Sequence, residues 1–184
     1  MDYFIADTHF AHKNIIEYGG RPFKDTEEMN KKLILNWNNT VKNNDRVFFL
    51  GDFCFGGANK IKEYADQLHG KIIMVKGNHD TYNNQIYYNT NFAVALNFPI
   101  LYSEKIILSH KPLENLAPGM INIHGHIHQL NYGDDFHHCV SVEHTNYKPI
   151  TLDEALKILV LTGPPKVIKG ILVFTKESIF TSIV

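Results

Sequence analysis

Ile72-Ile73-Met74-Val75-Lys76-Gly77-Asn78-His79-Asp80 joins an unbroken apolar run to a glycine and three residues that bind metals or move protons. A short continuous run without alternation suits a strand covered on both faces, as in the sheet of an α/β protein. The same order recurs along the chain. Tyr3-Ala6 leads into Asp7-Thr8-His9, Val47-Leu50 into Gly51-Asp52, Ile106-Leu108 into Ser109-His110, and Ile121-Ile123 into His124-Gly125-His126-Ile127-His128. Ala93-Leu96 and Val140-Val142 are further runs of strand length. In open α/β sheets, sites form at the carboxyl ends of the strands, so these Asp, His and Asn residues are expected to converge. Asp7 and His9 are two apart, as are His126 and His128; in extended chain each pair points one way. Gly51, Gly77 and Gly125 stand just before the candidate ligands, where tight turns and close backbone approach are needed.

Helices are predicted between the early runs. Asp25 followed by Glu28 reads as an N-cap, and Met29, Leu33 and Trp37 then form an apolar stripe. A second helix carries Ile61, Ala65 and Leu68 and is expected to stop at Gly70. A third, from Thr151 to about Leu159, opens with a Thr151-x-x-Glu154 capping box. The βαβαβ start and the strand-rich stretch from 93 to 144 together predict an α/β sandwich with some antiparallel pairs and helices outside. Gly163-Pro164-Pro165 breaks the chain before a last stretch, 163–184, that reads as one or two extra strands without assignable chemistry.

Composition bounds the rest. At 184 residues, 44% hydrophobic and 20% charged, the chain is expected to fold as one domain over residues 1–184, with no need of disulfides. The formal net charge of −1 argues against a protein that coats nucleic acid, and no stable nucleic-acid partner is expected. Cys54 and Cys139 lie far apart, with no CxxC pair, so neither a disulfide framework nor a cysteine zinc site is expected. Met1-Asp2-Tyr3-Phe4-Ile5 reaches acidic residues before a long apolar region can form, and no apolar window is long enough for a membrane span. A cytoplasmic protein is expected. P-loop, GxSxG and HExxH patterns are missing from the sequence.

Carboxylates, four imidazoles and an amide, with no thiolate, suit Mn, Fe, Zn or Ni. Seven such ligands exceed one tetrahedral zinc and suit two metals that share a carboxylate. Two metals ~3.5–4 Å apart can clamp the attacking and leaving oxygens of a displacement at phosphorus.

Taken in order, Asp7-x-His9, Gly51-Asp52, Gly77-Asn78-His79-Asp80, Ser109-His110 and Gly125-His126-x-His128 resemble the five signature blocks of the calcineurin-like metallophosphoesterase superfamily. The blocks span residues 7–128. The opening Asp7-Thr8-His9-Phe10-x-His12-x-Asn14-Ile15, with Arg21-Pro22-Phe23, further resembles a subgroup of small bacterial and phage phosphoesterases without a cap domain. The resemblance implies a four-layer α/β/β/α sandwich of two mostly mixed β-sheets flanked by helices. It implies that Asp7, His9 and His128 hold a first metal, that Asn78, His110 and His126 hold a second, and that Asp52 bridges them. His79 would stand over the phosphate as general acid or charge stabiliser, and Asp80 would orient it. A metal-bridging hydroxide would attack phosphorus, with manganese the first expectation among the metals.

Other residues carry two readings each. His12 and Asn14 line the phosphate pocket or cap the following segment. Arg21 clamps the phosphate or forms a surface ion pair with Asp25 or Glu17. His124 lies beyond the metals or packs in the core with a backbone hydrogen bond. His69 suits a helix end, His137 and His138 read as an exposed pair on a loop, and Cys54 as a small buried side chain. The function implied is hydrolysis of small phosphodiesters, of nucleotides or cyclic nucleotides. Phosphomonoester hydrolysis comes second, protein phosphatase action third, and a metal-free scaffold of the same fold is the alternative of a different class.

Overall fold

The computed structural model describes residues 1–162, 166–168 and 171–173, with side chains through residue 158. Four parallel strands, β1 (Asp2–Ile5), β2 (Arg46–Phe49), β3 (Lys71–Val75) and β4 (Phe92–Leu96), form the first sheet in the order β4-β3-β2-β1. The short strand β9 (Ile150–Thr151) closes its far edge antiparallel to β1. The second sheet runs β5 (Ile100–Ser103), β6 (Ile106–Leu108), β7 (Ile121–His124), β8 (His137–Cys139), with β5-β6 antiparallel and the rest parallel. β10 (Lys166–Ile168) and β11 (Ile171–Val173) pair as a separate antiparallel hairpin. The rest of 163–184 lies outside the described residues.

Two mixed sheets flanked by helices are thus the architecture, and the continuous apolar runs explain it. On β1, β2 and β3, odd and even residues enter different clusters. Ile5, Val47, Phe49, Ile72 and Met74 face helices α2 (Thr26–Thr40) and α3 (Ala58–Ala65), whose Met29, Leu33, Trp37, Ile61 and Ala65 join the same cluster. Phe4, Phe48 and Val75 face the second sheet, where they meet Ile106, Leu108 and Ile123. Neither face of the first sheet needs polar residues, so its polar groups gather at the strand ends. Helix α5 (Leu152–Thr162) packs against β1, β8 and β9, with Ala155 in the cluster between the sheets.

The caps form as the sequence predicts. Asp25 Oδ1 accepts Glu28 N at 2.8 Å, and Glu28 Oε2 accepts Lys24 N at 2.8 Å. Glu154 Oε2 accepts Thr151 N at 2.8 Å while Thr151 Oγ1 accepts Glu154 N at 3.3 Å, which opens α5. Two boundaries differ. Helix α3 ends at Ala65; Gln67 and Leu68 then bond back only three residues, a tightened turn that still buries Leu68 before Gly70 at φ 86°. Val140-Val142 lies just beyond β8 and brackets Ala6 instead, through Ala6 N to Val140 O at 2.9 Å and Val142 N to Ala6 O at 3.1 Å. That link ties the second sheet to the end of β1. Helices α1 (Ile15–Tyr18) and α4 (Asn84–Tyr88) complete the set among the described residues.

Candidate metal centre

The loops after β1, β2 and β7 leave their strands in the left-handed region. Asp7 has φ 58°, His9 47°, Asp52 60°, His126 72° and His128 50°. Such a backbone costs a non-glycine residue about 1–3 kcal/mol and persists where the surroundings over-determine it. Here they do. Asp7 N donates to Gly51 O at 2.9 Å, His9 N to Asp52 O at 3.0 Å, and Gly125 N to His110 O at 2.9 Å. Asp7 Oδ2 accepts His126 N at 2.9 Å, and Asp52 Oδ1 accepts His79 N at 2.9 Å. The glycines permit this closeness. A Cβ at Gly77 would strike Asp52 Oδ1, and one at Gly125 would lie 2.5 Å from Asp7 Oδ2 and 2.6 Å from Ala6 Cβ. Gly125→Ala is therefore expected to cost about 1–3 kcal/mol of stability, the usual range for overpacking, and to displace the Asp7 carboxylate. Thermal melting and the metal content of the purified variant check both effects.

Two groups of side chains that could each hold a metal ion result, Asp7-His9-His128 and Asp52-His110-His126, each with its candidate ligand atoms within 4.8 Å of one another. Asp52 Oδ2 stands 3.6 Å from His9 Nε2 and 3.6 Å from His110 Nε2, so one carboxylate oxygen faces both groups. Asn78 Oδ1 is 3.0 Å and His126 Nδ1 3.2 Å from His110 Nε2, which brings the amide into the second group. Ligands about 2.1 Å from a shared cation stand roughly 3–3.5 Å apart, close to these separations.

Asp7 Oδ1 and both ring nitrogens of His9 are buried without a hydrogen-bond partner. Orphaned buried polar atoms are costly, and a cation held between them would remove that cost. Burial pushes the Asp7 carboxyl up to about 7 and lowers His9, His110 and His126, leaving imidazoles neutral with lone pairs open. For His128 burial acts downward, but the Glu143 hydrogen bond and the Asp7 charge outweigh it and raise the group. Burial also drives Cys54 and Cys139 up to about 12, so neither offers a thiolate. An oxygen and nitrogen donor set of this kind fits borderline and hard divalent cations.

The ring of His79 is about half exposed (46%), with Nε2 4.0 Å from Asp52 Oδ2, at the mouth of the centre. Asp80 does not orient it. The Asp80 carboxylate is buried and accepts Asp52 N at 2.6 Å, Gly77 N at 2.8 Å and Phe53 N at 3.1 Å, so it fastens the Asp52 loop instead. His12 stacks on Phe55 with ring centres 3.9 Å apart and lies 5.4 Å from the His9 ring, forming one wall beside the first group. Asn14 is exposed at the start of α1 and makes no side-chain cap. Arg21 neither faces the mouth nor pairs with Asp25 or Glu17. It is buried, and its fork donates to Asp7 O at 2.7 Å, Thr8 O at 3.0 Å and Glu143 Oε1 at 2.9 Å.

His124 is a core residue whose Nδ1 lies 2.8 Å from Gly125 O. His137 and His138 are not exposed. Asp134 and Leu113 O engage the first, each at 2.8 Å, and Ala155 O the second at 3.2 Å; burial on β8 gives both rings partners a surface loop would lack. His69 is exposed beyond α3, and Cys54 is buried. Sequence reasoning missed Ser141, whose Oγ donates to Asp7 Oδ2 at 2.6 Å, and Glu143, whose Oε1 meets His128 Nδ1 at 3.2 Å. Their alternation with Val140 and Val142, the same period as Asp7 and His9 after β1, was the available signal.

The sequence matches the profile of the calcineurin-like phosphoesterase family over residues 3–169. An uncharacterised protein of Methanocaldococcus jannaschii is 40% identical over 173 aligned residues, covering 85% of this chain and 90% of that protein. The crystal structure of a protein of unknown function from Aquifex aeolicus superposes with a TM-score of 0.66 at 28% identity, covering 86% of this chain and 98% of the other.

Proposed function

The chain belongs to the calcineurin-like phosphoesterase family, and from that premise we propose that it hydrolyses small phosphodiesters, of nucleotides in the first instance, at a centre of two divalent metals. Manganese is the first candidate, with iron, zinc and nickel behind it. Asp7, His9 and His128 would hold one ion, Asn78, His110 and His126 the other. The observation that carries the dinuclear reading is the position of Asp52 Oδ2, 3.6 Å from an imidazole nitrogen of each group. Bound there, the metals would neutralise phosphoryl charge and lower the pKa of a water.

The chain's own residues do the rest. Asp52 Oδ1 holds the backbone of His79, so proton donor and shared carboxylate keep a fixed relation. The exposed ring of His79 is free to protonate the departing oxygen. His12 and Phe55 form an aromatic wall on which one substituent of the phosphate can lie. Preference for a diester is supported by the two arginines. Arg21 is buried against Glu143, and Arg46 pairs with Asp2 at 2.6 Å on the surface. Neither supplies the guanidinium fork that a doubly charged monoester would favour. No helix of the described residues is long and apolar enough to cross a membrane; a cytoplasmic setting and a single domain over 1–184 belong to the same reading.

Hydrolysis of bis(p-nitrophenyl) phosphate beside p-nitrophenyl phosphate, with added Mn and with chelator, tests it. The expected result is turnover that chelator abolishes and that favours the diester. Preference for the monoester would make the chain a phosphomonoesterase. Protein that binds no metal and turns over neither compound would be a scaffold of the same fold.

A further inference from the structure

Glu143 sits on no motif of the metal centre, yet its side chain is 5% exposed and touches both His128 of the first group and the buried Arg21. Its Oε1 accepts from Arg21 Nε at 2.9 Å, forms an ion pair with Arg21 Nη2 at 2.8 Å and lies 3.2 Å from His128 Nδ1. The same guanidinium donates to Asp7 O and Thr8 O. We infer that Glu143 and Arg21 act as a buried brace that positions the first metal group, Glu143 by holding His128 through Nδ1 and Arg21 by holding the backbone that carries Asp7. The inference rests on reading Asp7, His9 and His128 as metal ligands.

The geometry fixes what each partner does. With Nδ1–H donated to Glu143, the lone pair of His128 is on Nε2, which is then the nitrogen left for a cation. A carboxylate behind a ligating imidazole fixes its tautomer and ring orientation. A carboxylate this buried needs its own counter-charge, and Arg21, with a fully buried side chain, is that charge. The fork then reaches past Glu143 to the carbonyls of the loop after β1, which a lysine could not do with one head. Among the described residues the second group shows no such pair: His110 Nδ1 rests on a backbone carbonyl, Leu50 O, at 2.8 Å. The brace therefore acts on one metal position and not on the other.

Titration of Co(II) into metal-free protein, followed by calorimetry and by the visible absorption of the bound ion, separates the two positions. The wild type is expected to bind two ions in two steps. Glu143→Gln, which keeps an acceptor for Nδ1–H but loses the charge, is expected to weaken one step about 10- to 100-fold, the scale for removing such a partner, and to leave the other unchanged. Glu143→Ala is expected to weaken that same step further. A folded Glu143→Gln that binds both ions as the wild type does, or loses both steps alike, overturns the brace. Should the variant not fold, as judged by circular dichroism, Arg21→Lys decides by the same criterion; failure of both to fold makes the pair a stability element only and overturns the inference. Wild-type protein that takes up no cobalt defeats the metal-centre reading itself, and the brace with it.

Discussion

Asp52→Asn is expected to reduce the metal content from two ions to one or none and to lower turnover by on the order of 10³-fold, the upper scale for removing one group that stabilises transition-state charge. The substitution suits the test because it leaves the backbone alone. Asp52 has φ 60°, a region that asparagine also tolerates, and its backbone N remains bonded to Asp80 Oδ2 at 2.6 Å. The amide keeps one oxygen. The His79 N–H, now 2.9 Å from Oδ1, would retain that oxygen as acceptor, which turns the NH2 group toward His9 and His110. An NH2 group has no lone pair to offer a cation, and both groups of ligands lose their common oxygen at once. Metal analysis after dialysis and initial rates on the diester measure the two effects. A variant that keeps both ions would remove Asp52 from the role of shared ligand.

The ease of reading this site from sequence has a physical cause. A sheet covered on both faces has only its strand ends for polar chemistry, so Asp7, Asp52, Asn78, His110 and His126 each stand within three residues of the end of an apolar run. Local spacing carries that information. Pairings across the fold leave no local trace. Arg21 and Glu143 are 122 positions apart, Ser141 and Asp7 134, and each side chain looks like a surface residue until its partner is known. The same holds for His137, whose neighbour Leu113 comes from another loop. The contact of Asp80 with His79 is implied by the family resemblance and not by local spacing; consecutive residues on this tight turn diverge, and the carboxylate accepts three backbone N–H groups of the Asp52 and Gly77 loops instead. Helices α1 and α4, of 4 and 5 residues, are too short to show a helical period.

His79→Ala is expected to lower turnover by about 10²–10⁴-fold, the range for a positioned acid, with both metals retained. Retention follows from the geometry. The ring makes no hydrogen bond to any ligand, its Nε2 is 4.0 Å from Asp52 Oδ2, and the contact that matters to the bridge, His79 N to Asp52 Oδ1, is a backbone contact that alanine preserves. The neighbouring rings, Phe55 at 5.0 Å and His9 at 5.6 Å between centres, flank the imidazole without engaging its nitrogens. With Asp80 engaged elsewhere, no carboxylate among the described residues hydrogen-bonds the His79 ring, which lies between these rings and the Asp52 carboxylate 4.0 Å away. That arrangement makes a sharper test available. An acid matters in proportion to how poorly the departing oxygen bears charge. The loss should be smallest with p-nitrophenolate as leaving group and grow with alkyl esters such as a nucleotide diester. A loss equal for all leaving groups would assign His79 to charge stabilisation of the phosphoryl oxygens in place of proton donation, and unchanged rates would remove it from the chemistry altogether.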